Sequence, residues 1–203
     1  MPTGNPTDSR RAPSRDIEIL FYDGFDDLDV FGPFEVFTGA GVNTRLVTVQ
    51  AQDIVVSAGG ARIVPHGVVG DPDLVIVPGG NWSSRGPQGA WAEAQKGTIG
   101  AFMRKRLESG GRIGSICTGG MILAHEGLLR GRPAITHHDA IEDLIACGAD
   151  VQHGRRFVDD GDIVTAGGVT SGIDLALYIV ENEVGAEAAA AEAEEIEWTW
   201  ATR

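Results

Sequence analysis

Short apolar runs recur along the chain, each bounded by glycine, proline or acidic residues, and the stretches between them carry apolar positions at helical spacing. Ile17-Glu18-Ile19-Leu20-Phe21-Tyr22 and Leu74-Val75-Ile76-Val77 predict strands, the second running into a Pro78-Gly79-Gly80 loop. Similar patterns predict strands over 45–49, 112–116 and 162–165, with a short one over 134–136. Helices are predicted over 33–38, 91–108, 119–129, 140–147 and 171–183, the first with Pro33 at its opening position. Strands alternating with helices imply an α/β fold with a mostly parallel sheet covered on both faces.

The ends of the chain read differently. Residues 1–15 mix Pro, Gly, Ser, Thr and Arg without periodicity, the composition of a disordered tail, so one folded domain is expected over 16–203. From Gly185 onward Ala and Glu dominate until Ile196, Trp198 and Trp200, which predicts a C-terminal surface helix pinned by aromatic residues.

With 16 basic and 29 acidic residues the formal charge is −13, which argues against a nucleic-acid partner. Two cysteines, Cys117 and Cys147, make no disulfide framework, so a cytoplasmic setting is expected. No apolar run reaches the roughly 18 residues of a membrane span, and no membrane partner is expected. Neither a GxxxxGK[ST] nor a GxGxxG motif follows a strand, so nucleotide binding has no positive support.

The chemistry centres on Ser115-Ile116-Cys117-Thr118-Gly119, where a strand pattern passes into a helix pattern. Small residues two before and two after Cys117 permit the sharp turn of a nucleophile elbow. The helix that follows aims its free N–H groups at the sulfur, so a low-pKa, reactive thiolate is expected. Cys147, at a helix end, reads as structural. In Asp26-Asp27-Leu28-Asp29-Val30, Asp29 has apolar neighbours on both sides and is the carboxylate to be drawn inward, beside the thiol, with a raised pKa. The other reading makes it a cap for the helix near Pro33. His137 follows the short strand over 134–136 and should project near the strand ends; His125 reads as packed or surface. Adjacent His137, His138 and Asp139 lack metal-ligand spacing, so no metal is expected.

The stretches 17–37, 74–80 (LVIVPGG), 114–138 (GSICTGGMILAHEGLLRGRPAITHH) and 162–177 (DIVTAGGVTSGIDLAL) resemble the ThiJ/PfpI superfamily, over nearly everything from Asp16 to about Glu183. The resemblance implies a flavodoxin-like three-layer sandwich related to class I glutamine amidotransferases, and a homodimer. Its LDVFGP, ICTGG and TAGGVTSGID motifs are most similar to the isonitrile hydratase branch and to the sensor domains of AraC-type regulators. Those regulators continue into a helix-turn-helix region, and with Arg203 as the last residue here a stand-alone enzyme is the expectation. By this likeness Cys117 is the nucleophile, Asp29 the acidic partner and Thr118 a neighbour of the thiolate. Gly79 and Gly80 would supply backbone donors to an anion, His137 would lie near the substrate, a small molecule, and no metal or organic cofactor would take part.

Two other functions stay open within the superfamily, a non-catalytic thiol redox sensor and a glyoxalase-like enzyme. The second loses ground because Glu18 lies inside a strand, too early to replace the glutamate such branches carry. Two departures bear on the pocket. His138 stands where the hydratase branch often has Trp, and a later His and Glu completing an amidotransferase triad cannot be located.

Overall fold

The computed structural model describes residues 16–200, so the predicted N-terminal tail lies outside the described residues. In chain order the elements are β1 (Asp16–Leu20), α1 (Asp27–Gly39), β2 (Asn43–Thr48), β3 (Val55–Val56), β4 (Arg62–Ile63), β5 (Gly67–Val68), β6 (Leu74–Val77), α2 (Ala90–Lys96), α3 (Thr98–Glu108) and β7 (Arg112–Ser115). They continue with α4 (Gly119–His125), β8 (Pro133–Ala134), a 3₁₀ turn (His138–Ala140), α5 (Ile141–Ala146), β9 (Asp150–Val151), β10 (Phe157–Asp159), β11 (Ile163–Ala166), α6 (Ser171–Glu183) and α7 (Ala186–Glu195). Seven strands form one sheet in the order β10-β11-β7-β6-β1-β2-β5. Every pairing in it is parallel except β10 with β11, which is antiparallel at the edge.

Helices cover both faces: α1, α6 and α7 pack together on one, α2 to α5 on the other. The central strand β6 shows why. Leu74 and Ile76 enter the core under α1 and α6, with Val36, Val164 and Leu177, while Val75 and Val77 enter the other, with Met103, Ile113 and Leu123. A strand buried on both faces is apolar at every position, the signature of a parallel sheet clothed in helices. The result is a flavodoxin-like three-layer α/β fold.

Three predicted helices change shape. The first begins at Asp27 rather than near Pro33, because Asp26 caps it, its side chain accepting the Leu28 N–H at 3.2 Å. Pro33 therefore lies inside the helix, and Asp29 is not its cap. The helix predicted over 91–108 is broken at Gly97, which adopts φ +71° and ends α2 before α3 begins. The one predicted over 119–129 ends at His125. The strand predicted over 134–136 is only β8, and it pairs with β9 outside the main sheet.

Candidate active site

β7 ends at Ser115 and α4 starts at Gly119, and the three residues that turn the chain between them include Cys117 at φ +54°. A non-glycine residue in this left-handed region carries a cost of roughly 1–2 kcal/mol per residue. The surroundings hold it there. The Cys117 N–H is shared between the carbonyls of Ala166 (3.1 Å) and Gly167 (2.9 Å) at the end of β11, and the Cys117 carbonyl accepts the Thr136 hydroxyl at 2.8 Å. The turn also demands Gly119, where a Cβ would lie 2.3 Å from the Val77 carbonyl oxygen.

Asp29, from the first turn of α1, is fully buried. One carboxyl oxygen, Oδ2, accepts the Gly79 N–H at 2.8 Å; the other, Oδ1, is buried without a hydrogen-bond partner. Burial, then the charge of Asp26, pushes the carboxyl well above its ordinary range, against the Gly79 N–H and the Cys117 thiol, which lower it. The thiol is also pushed up, by burial first and by the Asp29 charge second, while the backbone N–H groups of Val169 and Thr118 favour its anion. The low-pKa thiolate expected from the elbow is thus corrected. Two short-range donors do not offset desolvation and a carboxylate neighbour in a site where Cys117 is only 5% exposed. A proton on Asp29 removes the second of the two causes that push the thiol up and leaves the first, burial, in place.

Thr118 turns its hydroxyl away from chemistry and toward support, its Oγ1 accepting the Gly80 N–H at 3.0 Å. The two glycines expected as anion donors therefore have their N–H groups engaged, Gly79 with Asp29 and Gly80 with Thr118. Their absent side chains matter more. A Cβ on Gly79 would sit 2.5 Å from both the nitrogen and the Oγ1 of Thr118, and one on Gly80, at φ +134°, would sit 2.4 Å from the Gly24 carbonyl oxygen. The donors that face the sulfur instead include the N–H of Val169, which sequence reading missed because a backbone group leaves no residue-type signal.

His137 is half-buried. Its ring packs on Gly168, where a Cβ would fall 2.8 Å from the ring, and its Nδ1 accepts the Asp139 N–H at 3.2 Å. The proton of the neutral ring therefore resides on Nε2. Burial, then neighbouring His138, lowers its proton affinity. His137, His138 and Asp139 are the group among the described residues whose potential ligand atoms all lie within 4.8 Å of one another; one nitrogen of His137 is already taken by the backbone. His125 lies apart from the thiol, edge-on to Trp82 and Trp91. Cys147 is unpaired, as is Cys117, and no described helix is long and apolar enough to cross a membrane.

A sheet of mixed but mostly parallel strands, with a left-handed cysteine above the carboxyl ends of its central strands and an acid folded against it, defines a flavodoxin-like protein with an elbow thiol. Residues 15–182 match the DJ-1/PfpI family model, and the chain belongs to that family. It is 31% identical over 177 residues to the isonitrile hydratase of Pseudomonas putida, covering 85% of this chain and 74% of that one. It is 28% identical over 172 residues to the glutathione-independent glyoxalase DJR-1.2 of Caenorhabditis elegans, covering 80% and 84%. Among solved structures, a ThiJ/PfpI family protein from Pseudomonas syringae superposes with a TM-score of 0.79 at 29% identity, covering all of this chain and 83% of that one.

Proposed function

We propose that this protein is a cysteine-dependent hydro-lyase that adds water to an isonitrile to give an N-substituted formamide. The observation that carries the reading is the contact between an elbow cysteine and a wholly buried carboxyl whose proton affinity is raised. An isonitrile carbon must gain both a nucleophile and a proton, and this pair offers both without a metal or an organic cofactor. With one proton between them, the Cys117 sulfur forms a bond to the terminal carbon while Asp29 delivers its proton to the same carbon, giving a thioimidate and an ionised carboxylate. That carboxylate takes a proton from water as the oxygen adds to carbon, and passes it to nitrogen. Collapse of the adduct returns the hydroxyl proton to Asp29, breaks the carbon–sulfur bond and releases the formamide.

The similarity to the Pseudomonas putida enzyme supports this choice of substrate. Incubation with an aliphatic isonitrile, followed by mass detection of the formamide, tests it; no product from several isonitriles overturns it. A glyoxalase reading draws on the Caenorhabditis elegans relative. It lacks a glutamate free to serve the site, since Glu18 of the first strand is paired with Arg45 at 2.6 Å and accepts the Gly70 N–H at 2.7 Å. A redox-sensor reading uses the same sulfur, and what favours the hydratase over it is the buried acid against the thiol, which a sensor does not need. Selective peroxide oxidation of Cys117 without turnover of any isonitrile would reverse that judgement. The proposal includes a cytoplasmic homodimer, and light scattering showing only a 21 kDa species would remove the dimer from it.

A further inference from the structure

Beside the elbow lies an open depression of about 520 Å³ whose wall includes Gly168 and Val169, the segment that also bounds the Cys117 sulfur. In a chain with 29 acidic residues none of the lining residues is acidic, whereas His137, His138, His153, Arg155 and Arg156 all contribute. The nearby carboxylates are accounted for. Asp174 lies buried behind Arg156, taking its Nε and Nη2 groups, and exposed Asp139 faces His138 at 3.0 Å. Two sources of positive character remain. Arg155 makes no side-chain hydrogen bond or ion pair among the described residues, and the Nη1 group of Arg156 likewise has no partner there. His137 adds a neutral Nε2–H donor, given that its Nδ1 accepts from the backbone.

We propose that this depression is a carboxylate-binding subsite and that the enzyme's substrate is a small isonitrile bearing a carboxylate. A guanidinium matches a carboxylate in a paired, planar geometry that an ammonium does not reproduce. An extended polyanion is excluded because the remainder of the chain is strongly negative, which leaves a single small anion. The position gives the charge a purpose. Val169 belongs both to the wall of the depression and to the surroundings of the sulfur, toward which its N–H is directed, so a substrate anchored there lies against the segment that bounds Cys117. Asp29 is not among the residues that line the depression, so the carboxylate is not seated against the acid of the pair.

The isonitrile half of this proposal rests on the hydratase reading; the anion subsite does not, and the experiment separates them. The probes are 4-isocyanobutanoate and its methyl ester, which differ by one charge, together with the corresponding formamides as non-reacting ligands. In the wild type kcat/KM should be about tenfold higher for the carboxylate than for the ester, and Arg155→Glu should bring that ratio to one or below. The distant exposed substitution Arg62→Glu should leave the ratio as it is. Because the ratio compares two substrates on the same protein, a partial loss of folded enzyme does not alter it. Equal kcat/KM values in the wild type, or a preference that survives Arg155→Glu, overturn the subsite. If neither isonitrile is turned over, the hydratase reading fails, and calorimetry with 4-formamidobutanoate and its ester decides the subsite alone. Tighter binding of the anion, lost in Arg155→Glu, sustains it; indistinguishable binding overturns it.

Discussion

Asp29 accepts the Gly79 N–H at 2.8 Å, so the acid of the candidate site is aimed by a backbone amide fifty residues away in the chain. Gly79 is also in contact with Thr118, which in turn accepts from Gly80. The loop after β6 is therefore the part that sets the acid and the residue after the nucleophile at a fixed separation. The site depends on main-chain geometry as much as on its side chains.

That dependence gives the first prediction. Gly79→Ala would insert a Cβ 2.5 Å from Thr118 and 3.0 Å from the Asp29 carboxyl, and relief requires backbone movement. Overpacking of this kind costs typically about 1–3 kcal/mol. Isonitrile hydration should fall at least tenfold, with Tm lowered by several degrees, as read by product assay and thermal melting.

Asp29→Asn separates chemistry from stability. Hydration should drop by about 10²- to 10⁴-fold, the range for a general acid–base group. The charge of Asp29 helps hold the Cys117 thiol neutral, so its removal should speed alkylation of Cys117 by iodoacetamide at neutral pH. The sign for stability follows from the raised carboxyl. Between the unfolded value of about 3.9 and the higher folded one, the folded state binds more protons, so wild-type stability declines as pH rises through that window. Asparagine carries no such penalty. The variant should melt above wild type at pH 7 and the gap should close toward pH 4; a constant gap would show that burial of the charge is not its source.

Substituting the two cysteines should give opposite results. Cys117→Ser keeps the volume and loses the ionisable thiol, so hydration should collapse while the melting curve is preserved. Cys147 caps α5, half-buried and away from the elbow, and Cys147→Ser should leave turnover within a few-fold. Comparable losses in both variants would contradict the assignment of the nucleophile.

Much of this arrangement could be read before any coordinates. A strand buried on both faces announces itself as an unbroken apolar run, which is why Leu74-Val75-Ile76-Val77 was legible. The elbow showed through small residues around Cys117, because only they permit that turn. What escaped was set by tertiary context. A helix start depends on which of three neighbouring aspartates caps it, and composition does not choose Asp26 over Asp29. The break at Gly97 was hidden inside an otherwise helical pattern. The height of the thiol's pKa depends on burial by distant elements, and a local sequence motif reports only the donors that oppose it.

Arg85 provides a test remote from the sulfur. Its guanidinium lies 4.0 Å from the centre of the Trp91 ring and 4.8 Å from that of Trp82, and it pairs with Asp143 at 2.7 Å. Trp82 donates to the same carboxylate at 2.6 Å. Exposed cation–π contacts contribute about 0.5–1 kcal/mol, so Arg85→Ala should lower Tm by a few degrees. It should also change the tryptophan emission spectrum; an unaltered spectrum would mean the stacking does not persist in solution.

The Trp198 indole donates to Asp174 at 3.0 Å, and the same carboxylate grips Arg156 at the rim of the depression beside the elbow. The end of the chain is thus wired to the wall of the site through one buried acid. An anion that draws on Arg156 must alter the electric field at that indole. If the proposed subsite takes its anion through Arg156, the emission of Trp198 becomes an optical gauge of occupancy that needs neither label nor turnover to be read.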